Sequence, residues 1–318
     1  MSTQVQSQVQ WLTVNAHAQG QRLDNFLRTQ LKGVPKTLIY RIIRKGEVRV
    51  NKKRIKADYR LQVGDEIRIP PVRLAASAAQ VPVSKNLKQR LQASVLYESA
   101  ACLVLNKPAG LAVHGGTGVH QGVIEALRQT RPELEFLELV HRLDKGTSGC
   151  LLLAKSRPAL LALQTELKAK QMRKGYHAIV QGIWPAAYQQ VEYPLSKSTL
   201  GAKEAQVRVD EAGKSALTLF KPLQQGNTWS LVHAEPITGR THQIRVHAQA
   251  MGHPLLGDLK YGDSHWNTKY KHLGWGRLFL HAYQLSFTDP STQSVQNIQA
   301  PYDQAWRSLL EHLNAEGA

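Results

Sequence analysis

Leu139-Val140-His141-Arg142-Leu143-Asp144-Lys145-Gly146-Thr147-Ser148-Gly149-Cys150-Leu151-Leu152-Leu153-Ala154-Lys155 is the stretch around which this chain can be read. Its second half is a strongly apolar strand. Its first half is a polar, Gly-containing loop that carries Asp144 between the cationic Arg142 and Lys145. Neighbouring positive charge favours the ionised carboxylate, the form that acts as a nucleophile. Thr147 and Ser148 can hydrogen-bond the loop, and Gly146 and Gly149 permit backbone angles that other residues avoid. Spacing alone leaves a second reading open, in which Asp144 caps a turn and pairs with Arg142 for structure.

The surroundings are a mixture of strand and helix patterns. Upstream, Ser94–Tyr97 and Cys102–Leu105 read as strands, and Asn106-Lys107-Pro108-Ala109-Gly110 turns the chain. The turn lacks the GxxxxGK[ST] spacing of a phosphate-binding loop. Val123–Thr130 predicts a short helix, and Ala159–Lys170, built of strong helix formers, a firmer one. Downstream, Tyr176–Val180 and Gln206–Val209 read as strands, and Ala305–Leu310 as a closing amphipathic helix. No internal repeat is evident.

The chain has 318 residues, with 41 Lys+Arg against 23 Asp+Glu, a formal charge of +18. That length predicts two domains. Hydrophobic residues at 42% supply a core and exclude wholesale disorder. No apolar run approaches the roughly 20 residues of a membrane span. The Ser/Gln-rich residues 1–10 lack the apolar stretch of a secretory signal. Cys102 and Cys150 are too few and too far apart for a disulfide scaffold or a zinc site of paired Cys-x-x-Cys units. They read as buried small apolar residues in a reducing cytoplasm.

The charge is concentrated. Residues 21–73 hold 15 Lys/Arg against 5 Asp/Glu, a net of +10. The densest part includes Arg41, Arg44, Lys45, Lys52, Lys53 and Arg54, which read as the RNA-binding set. A polyanion is the natural partner, because each cation that neutralises a phosphate releases a counterion. Pro35 suits a helix start, and Leu38, Ile39, Ile42 and Ile43 make one apolar stripe opposite a basic face. Gly46 suits the helix end. Val48-Arg49-Val50 then alternates like a strand, Asn51-Lys52-Lys53 turns, and Glu66–Ile69 follows the Gly64-Asp65 turn as a second strand. Arg22-Leu23-Asp24-Asn25-Phe26-Leu27, Gly46–Asn51 and Gly64–Ile67 resemble the S4 RNA-binding domain over about residues 21–70. Pro70-Pro71 and the small polar Ala75–Gln80 predict a linker. The expected division is a tail at 1–20, the S4-like domain at 21–70, a linker at 71–90 and a catalytic domain at 91–318.

His141-Arg142-Leu143-Asp144 with Thr147-Ser148-Gly149 resembles the signature of the RluA-type pseudouridine synthases. Further matches fall in order: Asn106–Gly110 before it, then Lys174–Gly182, Pro236–His247, Gly252-His253-Pro254 and Gly257-Asp258 with Tyr261-Gly262. The Lys145-Gly146 pair departs from the two polar residues usual in the family. The resemblance implies an α+β fold, with a mixed, mainly antiparallel sheet flanked by helices. It implies isomerisation of 23S ribosomal RNA uridines, free or in a large-subunit assembly intermediate, with no cofactor or metal. Asp144 would match the catalytic aspartate, attacking ribose C1′ or abstracting a sugar proton. Tyr176 would stack on the flipped uracil, Arg245 would pair with Asp144, Arg142 would fill the hole left by the base, and Ile244 would line the uracil pocket.

Two other function classes stay open on the residues. One is a noncatalytic RNA-binding or ribosome-assembly protein, and the other a metal-dependent nuclease. Against the second, His242 and His247 are five apart and fall on opposite faces if they lie on a strand, and no HExxH occurs. His114 and His120 sit in a Gly-rich loop with no acidic cluster. A monomer is the default expectation.

Overall fold

The computed structural model describes residues 8–31, 34–72, 82–115, 121–185, 189–198 and 206–316. The chain divides into two units, residues 1–82 and 83–318. Residues 73–81 of the expected linker, the Ala75–Gln80 stretch included, lie outside the described residues, as do Lys32-Gly33 and His120.

The first unit holds strand β1 (Gln10–Thr13), helices α1 (Leu23–Gln30) and α2 (Lys36–Arg44), and strands β2 (Arg49–Val50) and β3 (Glu66–Ile69). Its sheet runs β1-β3-β2, antiparallel throughout. The α2 stripe forms as its spacing predicts: Ile39, Ile42 and Ile43 are buried, with Leu38 packed beside them. Each such burial contributes roughly 1.5–3 kcal/mol. Gly46 ends the helix with φ +73°, and the amides of Gly46 and Glu47 donate to the carbonyls of Ile43 and Ile42 at 2.9 and 3.0 Å. Asn51 and Lys52 both have positive φ, 50° and 64°, the geometry that joins two strands by two residues. The expectation of a tail over residues 1–20 is corrected here. Gln10–Thr13 pairs with β3 residue for residue, and Val14 and Ala18 join the core. Four residues of modest alternation are too weak a signal without the partner strand.

The second unit opens with α3 (Lys85–Ala93), followed by β4 (Val95–Glu98), β5 (Cys102–Lys107), α4 (Val123–Thr130), β6 (Glu138–Leu139), β7 (Ser148–Ala154) and α5 (Arg157–Lys168). Then come β8 (Arg173–Gln181), β9 (Gln189–Glu192), β10 (Leu195–Ser198), β11 (Gln206–Val209), β12 (Leu217–Gln225), β13 (Trp229–Pro236), α6 (Gln243–Ala250), α7 (Ser264–His272), β14 (Leu280–Thr288), β15 (Val295–Gln299) and α8 (Gln304–Glu316). The end of the expected linker is also corrected. Ser84 accepts the Leu87 amide at 3.2 Å as a helix cap, and Leu91 is buried in the second core, so the second unit begins ahead of residue 91.

The large sheet runs β4-β5-β7-β14-β8-β13-β12-β9, with β15 on β14 and β6 on β7. It is mixed and mainly antiparallel; β7 and β14 are the parallel pair. β7 is buried at every position, which explains why its sequence is apolar without alternation. In β8 the neighbours split: Ala178 and Val180 pack with Ile244 and Ala248 of α6, while Ile179 packs with Trp266, Tyr270, Trp306 and Leu309 of α7 and α8. Helices therefore cover both faces. Among the described residues no helix is long and apolar enough to cross a membrane. Both cysteines are free and buried.

Gly149 sits at the β7–β14 junction with φ +104°, and a Cβ there would lie 2.3 Å from the Ala282 carbonyl oxygen. Gly149→Ala is expected to destabilise the protein by more than about 2 kcal/mol in urea unfolding. An unchanged midpoint would show that the two strands approach less closely than this.

Candidate active site

Asp144 lies on the loop between β6 and β7, and the loop is held by its own backbone. The Thr147 amide donates to the Asp144 carbonyl at 3.1 Å, and Gly110 donates to that of Lys145 at 2.9 Å. Lys107, wholly buried at the end of β5, directs Nζ at the carbonyls of Pro108, Leu111 and Lys145, at 2.9, 2.8 and 3.3 Å. Burial pushes this ammonium down to about 7; Arg277 adds to the shift and Asp144 opposes it. Lys107 thus ties the first turn of the unit to the loop that presents Asp144.

The carboxylate's charged neighbour is Arg245, not Arg142. Arg245 Nη1 donates to Asp144 Oδ2 at 3.0 Å. Its Nε and Nη2 grip Asp258 at 2.7 and 2.8 Å, a two-pronged pair. The Asp258 side chain is fully buried and also accepts the amides of Lys260 and Tyr261 at 2.9 and 3.1 Å. Burial pushes the Asp258 carboxyl up, but these bonds, Arg245 foremost, bring it below the usual range. Burial likewise works against the Arg245 charge, and Asp258 and then Asp144 raise it above its ordinary value. The Tyr261 ring lies 5.0 Å from the guanidinium carbon. Asp144 is different: its side chain is 32% exposed, so it remains reachable from solvent.

Arg142, Asp144, Tyr176, Ile244 and Arg245 all line one cleft of about 720 Å³, so five residues spread over a hundred positions of sequence meet. Tyr176 comes from β8, half-buried between two core clusters. Burial, and then the Asp144 charge, raise its phenol pKa. Arg142 is exposed, and Ile244 is nearly buried in the core beneath. Lys168, Lys170, Lys174 and Arg240 also line the cleft, making it basic around a single reachable carboxylate.

The strand considered for His242 and His247 does not form: His242 is the residue before helix α6 and His247 lies within it. Gln243 through Ala248 are all buried, so apolar and polar positions carry no helical stripe to read. Two contributors to the site are absent from the sequence reading. Asp258 lies in the Gly257-Asp258 motif without an assigned role, and the histidines, His242 among them, read as phosphate contacts or core hydrogen-bonding groups in preference to metal ligands. His242 stands 3.7 Å from Asp144 Oδ2 through Nε2.

In the first unit, Arg41, Arg44 and Arg54 line a second cavity of about 660 Å³ with Tyr40 and Lys56. Lys45, Lys52 and Lys53 are exposed nearby in sequence and do not line it.

Asp258→Ala would leave a buried guanidinium with half its partners. The expected cost is about 3–5 kcal/mol in chemical denaturation. A loss below roughly 1 kcal/mol would show that Arg245 does not depend on this pair.

The geometry can be set beside known proteins. Residues 101–250 match the family model described as RNA pseudouridylate synthase, and residues 21–67 match the S4 domain. The chain is 51% identical over 317 residues to an Escherichia coli K12 protein named ribosomal large subunit pseudouridine synthase C, covering 98% of this chain and 99% of that one. A Haemophilus influenzae protein of the same name is 49% identical, covering 97% and 96%. Among solved structures, human RNA pseudouridylate synthase domain containing 4 superposes with a TM-score of 0.60 at 28% identity, covering 72% of this chain and 96% of that one. Near-full-length identity of this size, over a chain that brings its HRLD aspartate against a distant arginine, makes the chain a member of the RNA pseudouridylate synthase family of isomerases.

Proposed function

We propose that this protein converts specific uridines of 23S ribosomal RNA to pseudouridine, with Asp144 as the catalytic carboxylate acting on a base flipped from the stack. The observation that carries the reading is the Asp144–Arg245 pair in a basic cleft shared with Tyr176. The ribosomal substrate follows the names of the curated relatives.

The chemistry needs no net oxidant or reductant. Asp144 attacks C1′ or takes a proton from the sugar, and the N1–C1′ bond breaks with its electrons going to uracil. Uracil rotates in the cleft, and C5 bonds to C1′ as the Asp144–C1′ bond breaks or, on the other route, as the sugar regains its proton. The C5 proton leaves and N1 gains one. Tyr176 offers a ring on which the uracil stacks, worth roughly 1–3 kcal/mol per base. Arg245, anchored by Asp258, fixes the carboxylate. Ile244 closes the apolar side of the pocket. Arg142, the exposed cation beside Asp144, takes the place of the extruded base, which costs a few kcal/mol to unstack. Arg41, Arg44, Lys45, Lys52, Lys53 and Arg54 of the first unit hold phosphates and supply affinity. The expected setting is the cytoplasm, on free rRNA or an assembly intermediate.

Tritium release from [5-³H]uridine-labelled 23S rRNA tests the reaction, since carbon–carbon bond formation at C5 must expel that tritium. Wild type is expected to release it, and Asp144→Ala to fall by at least about 10²-fold with RNA affinity retained. Equal release by both would overturn the role of Asp144. Loss of affinity with Asp144→Asn would favour a pure RNA binder.

Removing residues 1–82 is expected to weaken rRNA binding and flatten its salt dependence, as phosphate contacts are lost. An unchanged salt slope would contradict this division of labour.

A further inference from the structure

Two side chains converge on the Asp144 carboxylate, Arg245 and His242. His242 is the residue before α6 and has φ +55°, ψ 18°, a left-handed conformation that non-glycine residues seldom adopt. Such strain is retained where the surrounding structure demands it. The conformation accompanies a ring held at one nitrogen and facing Asp144 with the other. Nδ1 lies 2.8 Å from the Tyr261 hydroxyl, and Nε2 lies 3.7 Å from Asp144 Oδ2.

Hydrogen-bond accounting assigns the proton. The Tyr261 oxygen accepts the Val207 amide at 2.9 Å. Its own O–H then needs an acceptor, and His242 Nδ1 stands at the right distance. A neutral imidazole that accepts at Nδ1 carries its proton on Nε2, on the side of Asp144. Burial lowers the pKa of His242; Asp144 opposes this, and Arg245 and Lys260 reinforce it, with Asp258 opposing more weakly. The ring is therefore neutral at pH 7. Arg245 Nη1 approaches the same Oδ2.

We infer that His242 is a positioning residue for Asp144: its Nε2–H, oriented by Tyr261, holds Oδ2 beside Arg245 and leaves Oδ1 as the oxygen that meets the sugar. The inference rests on Asp144 being the catalytic carboxylate. The 3.7 Å separation exceeds a hydrogen bond in the unliganded site and is of the kind that tightens when substrate fills the cleft.

The test has two arms. In the first, ¹⁵N NMR of histidine-labelled wild-type protein at neutral pH is expected to show His242 protonated at Nε2. In Tyr261→Phe, which keeps the ring against Arg245 but loses the hydroxyl, that fixed tautomer is expected to be lost. In the second arm, single-turnover tritium release is followed against pH. His242→Leu is expected to slow it by roughly tenfold to a hundredfold without loss of RNA affinity. His242→Gln, which restores an N–H, is expected to recover most of the rate. Tyr261→Phe is expected to be slow at pH 7.5 and to regain rate only as pH falls below the ordinary imidazole range, because the protonated ring carries Nε2–H whatever Nδ1 does and burial holds its pKa down. Wild type should show no such recovery.

An Nδ1–H tautomer in active wild-type protein would overturn the inference alone. So would a Tyr261→Phe profile parallel to wild type, or a Gln variant no better than Leu. A wild type that releases no tritium would instead overturn the reading of Asp144 on which it rests.

Discussion

Arg245 carries a positive charge that is largely withdrawn from water, and the architecture of the site follows from how that charge is satisfied. A buried guanidinium is tolerated only when its donors are met. Nε and Nη2 are taken by Asp258, which is itself sealed and bound by two backbone amides. The planar fork then leaves Nη1 pointing in a fixed direction, and Asp144 lies along it. Lysine could not do this, since a single rotatable ammonium cannot grip one carboxylate and orient a second. The asymmetry in exposure separates the two acids: Asp258 at 0% anchors, and Asp144 at 32% is available for chemistry.

The carboxylate is also positioned from its own side. Its loop leads into β7, the most deeply buried strand of the sheet, and Lys107 caps carbonyls on both the Pro108–Leu111 turn and the Asp144 loop. Burying an ammonium there is costly, as the downward pull on Lys107 shows. The cost is tolerated because one ammonium satisfies three carbonyls from two segments together. Loop, helix α6 and the Asp258 turn are thus three separate segments bound through a few charged groups, and tertiary packing holds each one still.

Local signals explain why some elements were readable. Helix α2 has a stripe of four aliphatics, a proline at its start and a glycine at its end, all within a dozen residues. The strand β7 is a bare apolar run after two glycines. Helix α4 forms over the residues its pattern indicates, Val123–Thr130. Helix α6 was not readable because it is enclosed on all sides: the sheet lies on one flank, and Gln243, Arg245 and His247 are buried by specific partners. Strand β1 was lost for the opposite reason, since its half-exposed residues gain meaning only from the β3 edge they complete.

Within the site, the chemistry of Asp144 was legible because its neighbours in sequence are unusual: flanking cations, two glycines and two hydroxyls before a buried strand. The family resemblance, and not the residues alone, nominated Tyr176, Arg245, Arg142 and Ile244. Sequence by itself determined the division into a basic α+β module and a larger mixed unit, while the family resemblance pointed to Asp144 as the carboxylate of interest and to RNA as the substrate class. Only the tertiary structure shows why Asp144 faces Arg245, which the resemblance names, and not the adjacent Arg142. Arg142 is two residues away and points to solvent, while Arg245 is a hundred residues away and is locked onto Asp258. The physical reason is that an exposed arginine loses side-chain entropy for little gain in a surface pair, whereas a buried one must satisfy every donor and so takes the direction its anchor dictates.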